Sequence, residues 1–171
     1  MDIKTCKLLA RYNQVVNQKM DSIIRTLSDE QWNREFAGYF KTIKQLSGHI
    51  YIADYNWLKR FGKFREYRFI KDPLFDRNLD FTSMPFDDVA DYIRKREELD
   101  KRLIMLTDEI VESDLEKTIS FVNAKGEMVS KNVGGSILHI FNHQTHHRGM
   151  IALYLDMMKI DNDFSGLLAL V

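Results

Sequence analysis

Four of the chain's five histidines fall in one stretch, residues 134–158: His139, His143, His146 and His147. His143 and His147 stand four residues apart. At about 100° per residue on a helix, His139, His143 and His147 share a face with Ile140, Met150, Ile151, Tyr154 and Met158. The imidazoles of that face therefore point toward a core. A neutral imidazole is the commonest protein ligand for a transition metal, and two at this spacing can reach one ion. A zinc-type site needs at least one ligand more. The fifth histidine, His49, supplies it from a second helical pattern, residues 42–61, whose stripe is Ile43, Leu46, Ile50, Ala53, Trp57 and Phe61. The expectation is one divalent transition metal held by His49, His143 and His147 between two helices; imidazole suits zinc, nickel and iron alike, and zinc or nickel is the favoured choice.

Three neutral ligands leave such an ion its full charge and an open coordination position, which is what separates catalytic zinc sites from closed structural ones. Water bound there can reach a pKa near ~7, and a thiol bound there loses its proton. The expected function is a metal-dependent enzyme of the hydrolase or thiol S-transferase class. The alternative is a non-catalytic dimeric bundle with a structural or regulatory metal. Gln144 stands where H-E-x-x-H needs its glutamate, and His146 where H-x-x-E-H needs one. No glutamate precedes a histidine by three residues, as a ferritin-like di-iron site requires.

Neighbouring residues have expected parts too. His139 reads as a hydrogen-bonded core histidine rather than a fourth ligand, and His146 as a pocket-rim residue rather than an acid/base or substrate contact. Met150, Tyr154 and Trp57 give the pocket an apolar lining suited to a small-molecule substrate. Arg148 lies off the ligand direction. It is expected to pair with Asp54, behind the ligands, and so to orient the two ligand helices.

The elements that must carry these residues are legible as periodicity. Residues 3–27 form a first helical pattern, with Leu8, Leu9, Tyr12, Val15, Val16, Met20, Ile23, Ile24 and Leu27 at three- and four-residue steps. Ser28-Asp29-Glu30-Gln31 reads as a short turn or as a capping box for one extra helical turn. Residues 62–84 form a long connection. A third helix is expected at 86–112, with Val89, Ile93, Arg96, Leu99, Leu103, Leu106 and Ile110 in register. Residues 117–132 are strand-like around Asn123-Ala124-Lys125-Gly126, a hairpin signal. Gly134-Gly135-Ser136 then opens the histidine helix. The expected architecture is one all-α domain over residues 1–171, a four-helix bundle with a small β-hairpin before the last helix.

Composition agrees with a globular domain. Lys+Arg and Asp+Glu number 25 each, which argues against a nucleic-acid-binding surface. No apolar run approaches the ~20 residues of a membrane span. A single cysteine, Cys6, excludes an intrachain disulfide and reads as a packing residue. With no signal peptide evident, the expected compartment is the cytoplasm.

Three segments carry a resemblance over nearly the whole length: Arg11-Tyr12-Asn13, the His49–Phe61 run HIYIADYNWLKRF, and NHQTHHRGM at 142–150. In these the chain resembles the DinB family (DinB/YfiT-like metal-binding bundles). The resemblance implies up-down-down-up connectivity, frequent dimers, and metal binding by His49, His143 and His147. Some proteins of this type are thiol transferases or metal-dependent hydrolases. The family commonly continues H-R-G-Q, whereas Met150 follows Gly149 here, which implies a less polar pocket.

Overall fold

The computed structural model describes residues 1–123 and 125–170. Six α-helices and two strands occur among them: α1 (Ile3–Ile24), α2 (Asp29–Trp32), α3 (Ile43–Phe64), α4 (Val89–Glu109), α5 (Glu112–Leu115), β1 (Thr118–Val122), β2 (Met128–Asn132) and α6 (Val133–Met157). Four helices are long, and each starts at a side chain that accepts a backbone N–H of its first turn. Asp2 caps α1 from Thr5 N at 2.8 Å, and Thr42 caps α3 from Gln45 N at 3.0 Å. Asp88 caps α4 from Asp91 N and Asn132 caps α6 from Gly135 N, both at 2.8 Å. Such caps satisfy amides that a helix leaves unpaired. They correct two expected starts: Asn132, not the Gly-Gly-Ser run, opens α6, and α4 begins at Val89. The capping box at α2 forms as read, with Ser28 N donating to Gln31 and Gln31 N to Ser28.

The apolar stripes make the long helices pack. α1 lies against α4 and α6, and α3 lies against the same two. Met20, Ile24, Leu46, Leu58, Leu99, Leu106, Ile137, Ile151 and Leu155 are buried between them. Burying each such side chain contributes roughly 1.5–3 kcal/mol. Cys6 is buried and unpaired, a packing residue as expected.

A polar layer runs through this core. Arg96 of α4 pairs with Asp54 of α3 at 2.9 Å and with Asp100 at 2.7 Å. Asn13 and Asn17 of α1 donate to Asp100. Gln144 of α6 donates to Asp54. Arg148 donates to Asn13 at 2.5 Å and Asn17 at 3.2 Å. The expected Arg148–Asp54 pair therefore does not form. Arg96 already occupies Asp54, and Gln144 stands between the two residues, bonded to Asp54 and, at 3.5 Å, to Arg148.

The hairpin is antiparallel, with Thr118 opposite Asn132 and Val122 opposite Met128. Its turn uses Gly126 at φ 81°; Ala124, named in the turn signal, lies outside the described residues. The long connection after α3 is built on short 3₁₀ turns at Arg68–Lys71 and Pro73–Asp76. Buried Phe69 and Phe75 anchor it, and the Tyr55 hydroxyl donates to Arg77 O at 2.6 Å. No helix among the described residues is long and apolar enough to cross a membrane.

Candidate metal centre

His49 sits two turns into α3. His143 and His147 occupy successive turns of α6, the helix packed on it. The stripe that buries α6 against α3 also aims these rings inward. One ring nitrogen of each of the three lies within 4.8 Å of the others. His143 Nε2 is 3.1 Å from His49 Nε2 and 3.1 Å from His147 Nε2. Hydrogen bonding alone does not account for this arrangement. A neutral ring nitrogen has one proton or one lone pair, so His143 Nε2 can serve only one of its two neighbours. Three lone pairs facing a common cation satisfy all three. Nitrogens held at about 2.0–2.1 Å by a tetrahedral ion lie roughly 3.3 Å apart, close to the spacing present. The donor set fits a divalent transition metal.

The rings are held neutral, the form a metal needs. Burial lowers the pKa of all three. His143 falls to about 3, with the charges of His147 and His49 adding to burial. His147 falls to about 4, again from burial first and then from His49 and His146. His49 is lowered by burial alone. His147 Nδ1 is buried with no hydrogen-bond partner among the described residues, so the cluster itself orients that ring.

Two aromatic residues without a periodic signal complete the surroundings. Phe40, just before α3, lies 4.6 Å from the His49 ring and 5.5 Å from His147. Phe81, from the long connection, lies 5.1 Å from His49. Tyr154 holds Phe40 in place. Its hydroxyl donates to Phe40 O at 2.6 Å, and its ring stacks on Phe36 at 4.2 Å. A cavity of about 520 Å³ opens on His49, lined also by Gln45, Ile52, Phe81, Thr82, Ser83 and Met84.

The expected pocket residues are placed differently. His146 is exposed on α6, its ring 4.8 Å from His147. Met150 is half-buried and packs against the core. Tyr154 is buried and acts through Phe40. Trp57 lies two turns beyond His49, under the hairpin, with its ring 5.2 Å from Phe121. None of the four lines the cavity at His49. His139 is exposed rather than a core histidine, and rests 5.5 Å from Trp57. A helix face extrapolated over two or three turns drifts off its neighbour, which is why the outlying positions separate from the three that converge.

The sequence pattern of the DinB family matches residues 1–158. Protein DinB of Bacillus subtilis (strain 168) is 24% identical over 149 residues, covering 86% of this chain and 82% of its own. The crystal structure of a DinB-like protein from Bacillus cereus ATCC 10987 superposes with a TM-score of 0.63 at 17% identity, over 88% of this chain and 89% of that one. The likeness in structure extends to the fold.

Proposed function

This chain belongs to the DinB family, and on that premise we propose that it is a metal-dependent enzyme of the hydrolase or thiol S-transferase class, with zinc or nickel held by His49, His143 and His147. The observation that carries the reading is the convergence of three neutral imidazoles from α3 and α6 beside a cavity of about 520 Å³. When bound, the ion supplies Lewis acidity and an exchangeable coordination position. The chain's own groups do the rest. His49, His143 and His147 add no charge to offset the ion's. Phe40 packs on the rings of His49 and His147, and Phe81 on that of His49. The Gln45 amide nitrogen can donate to a substrate's polar head, and the Thr82 and Ser83 hydroxyls, whose protons go to Asp80, can accept from it.

The same reading gives the long helices up-down-down-up connectivity, supported by the family relationship. It gives a homodimer, supported by Leu138, Leu153 and Met157 standing about half exposed on α6. A cytoplasmic setting is part of the same proposal. A structural metal is the second reading. It is favoured by Gln144, which alternates with the ligand histidines and bonds the buried Asp54, so that an ion tying α6 to α3 also braces the core.

The test is a cobalt-substituted protein titrated with azide, imidazole and small thiols, followed by an ester and thiol substrate panel. Changes in the visible d–d bands together with turnover support the enzyme. A spectrum indifferent to every added ligand rejects it in favour of the structural metal.

A further inference from the structure

One face of α3 continues away from the metal ligand. His49, Ile52, Asn56, Arg60 and Lys63 follow at steps of three and four, so they form a single stripe along the helix. His49 and Ile52 line the cavity of about 520 Å³; Asn56, Arg60 and Lys63 line a second, of about 620 Å³, walled by the hairpin. Phe81 lines both, so the two cavities adjoin at that residue and follow one another along α3 as a groove.

Arg60 is the unusual member. Its guanidinium carbon lies 4.2 Å from the Phe121 ring centroid and 4.7 Å from that of Trp57. It is half-buried, and burial lowers its pKa. Among the described residues no carboxylate or carbonyl accepts from it, although a guanidinium carries five donors. The other charges facing this cavity do not satisfy it. Lys59 is spent on Arg77 O at 2.7 Å and Asn78 Oδ1 at 3.0 Å. Lys63 is exposed and adds positive charge. Asp80, the one acid lining the cavity, accepts from Thr82 and Ser83 within its own turn. A guanidinium oriented by two rings, with its donors free, matches a carboxylate or phosphate in two-point geometry.

Resting on the metal-site reading above, we propose that this groove binds an extended small molecule, its reacting end at the histidine cluster and a carboxylate or phosphate about 16 Å away on Arg60, eleven residues along at 1.5 Å each. Lys63 reinforces the anionic end and Phe81 covers the middle. Cavities of these sizes suit a metabolite.

The test uses zinc-loaded protein and linear hydroxamates of graded length ending in a carboxylate or its methyl ester, with affinities measured by calorimetry. The carboxylates are expected to bind about tenfold or more tighter than their esters once the chain spans the groove. That preference should vanish in Arg60→Met, which keeps the packing stem, and partly return in Arg60→Lys. Equal affinity of acid and ester in the wild type, or a preference that survives Arg60→Met, overturns the proposal. If acetohydroxamate binds but the tail makes no difference, the groove fails while the metal site stands. If no hydroxamate binds, the metal reading fails, and a metal-free arm decides the groove. There the Arg60 Nε–H NMR signal should shift saturably with phenyl phosphate and not with benzyl alcohol. Its failure to respond overturns the anion site.

Discussion

Asp54 and Arg96 meet at 2.9 Å with only 1% of either side chain exposed. Burial pushes the Asp54 carboxyl up to about 6 against the pull of Arg96. A charge left behind in such a place is costly. Arg96→Ala, which strands both Asp54 and Asp100, should destabilise the fold by about 3–5 kcal/mol. Urea unfolding checks this; a loss below about 1 kcal/mol would show that water reaches the layer.

Metal content should depend on three residues and not on their neighbours. His49→Ala, His143→Ala and His147→Ala should each lower affinity by orders of magnitude, while His146→Ala and His139→Ala leave about one ion per chain. Elemental analysis of protein purified from metal-supplemented medium reads this directly. Full occupancy in His49→Ala removes α3 from the site.

The Tyr154 hydroxyl and Phe40 make a latch over the histidines. A Cβ added at Gly38 would lie 2.0 Å from that hydroxyl. Gly38→Ala should therefore break the Tyr154–Phe40 bond and loosen the Phe40 ring. Tyr154→Phe removes the same bond without a clash, at about 1 kcal/mol. Both should weaken zinc in competition with a chromogenic chelator, Gly38→Ala the more. Unchanged zinc affinity in both variants would separate the latch from the site.

In metal-free protein the histidines make acid destabilising. Their folded pKa values, about 3 for His143 and about 4 for His147, lie below the ordinary value of about 6.5. The unfolded chain therefore takes up protons first as pH falls, and stability declines from about pH 6.5 toward about pH 3. Melting temperatures at pH 7 and pH 5 in the presence of chelator should fall more for wild type than for His143→Gln. An equal fall in both removes His143 as a cause.

Asp21 acts with the opposite sign. It is buried with neither oxygen hydrogen-bonded among the described residues. Burial and then the nearby Asp100 charge push it up to about 8. A raised carboxyl pKa gives stability that is full below the unfolded value near 4 and is lost as pH rises through about 8. From pH 6 to pH 8 the loss is roughly 2 kcal/mol. Asp21→Asn should flatten that slope in denaturant titrations, and a slope unchanged by the substitution would exonerate Asp21.

The histidine cluster was legible because it obeys period: two histidines at i and i+4 on an apolar helix, and a third in the pattern of another. Arg96 left a trace as well, an arginine standing in the apolar register of Val89, Ile93 and Leu99. Its partner was not legible. Asp54 could meet any cation brought to its depth, and which of Arg96 and Arg148 arrives is decided by helix spacing rather than by sequence neighbours. Phe40 and Phe81 left no trace, since both lie in aperiodic segments positioned from outside, by Tyr154 and by the connection that Tyr55 pins.

On α6 the clustered histidines and the polar layer interleave residue by residue: His143, then Gln144; His147, then Arg148. Any shift of that helix would displace Asn13, Asn17 and Asp54 together. Innovation in this scaffold is thereby steered away from the helices. The hairpin and the long connection, which supply Phe121 and Phe81 but none of the clustered histidines, can exchange residues without disturbing either the histidines or the buried charges. Divergence among proteins built on this plan should collect there, leaving the clustered histidines and the buried charges in place.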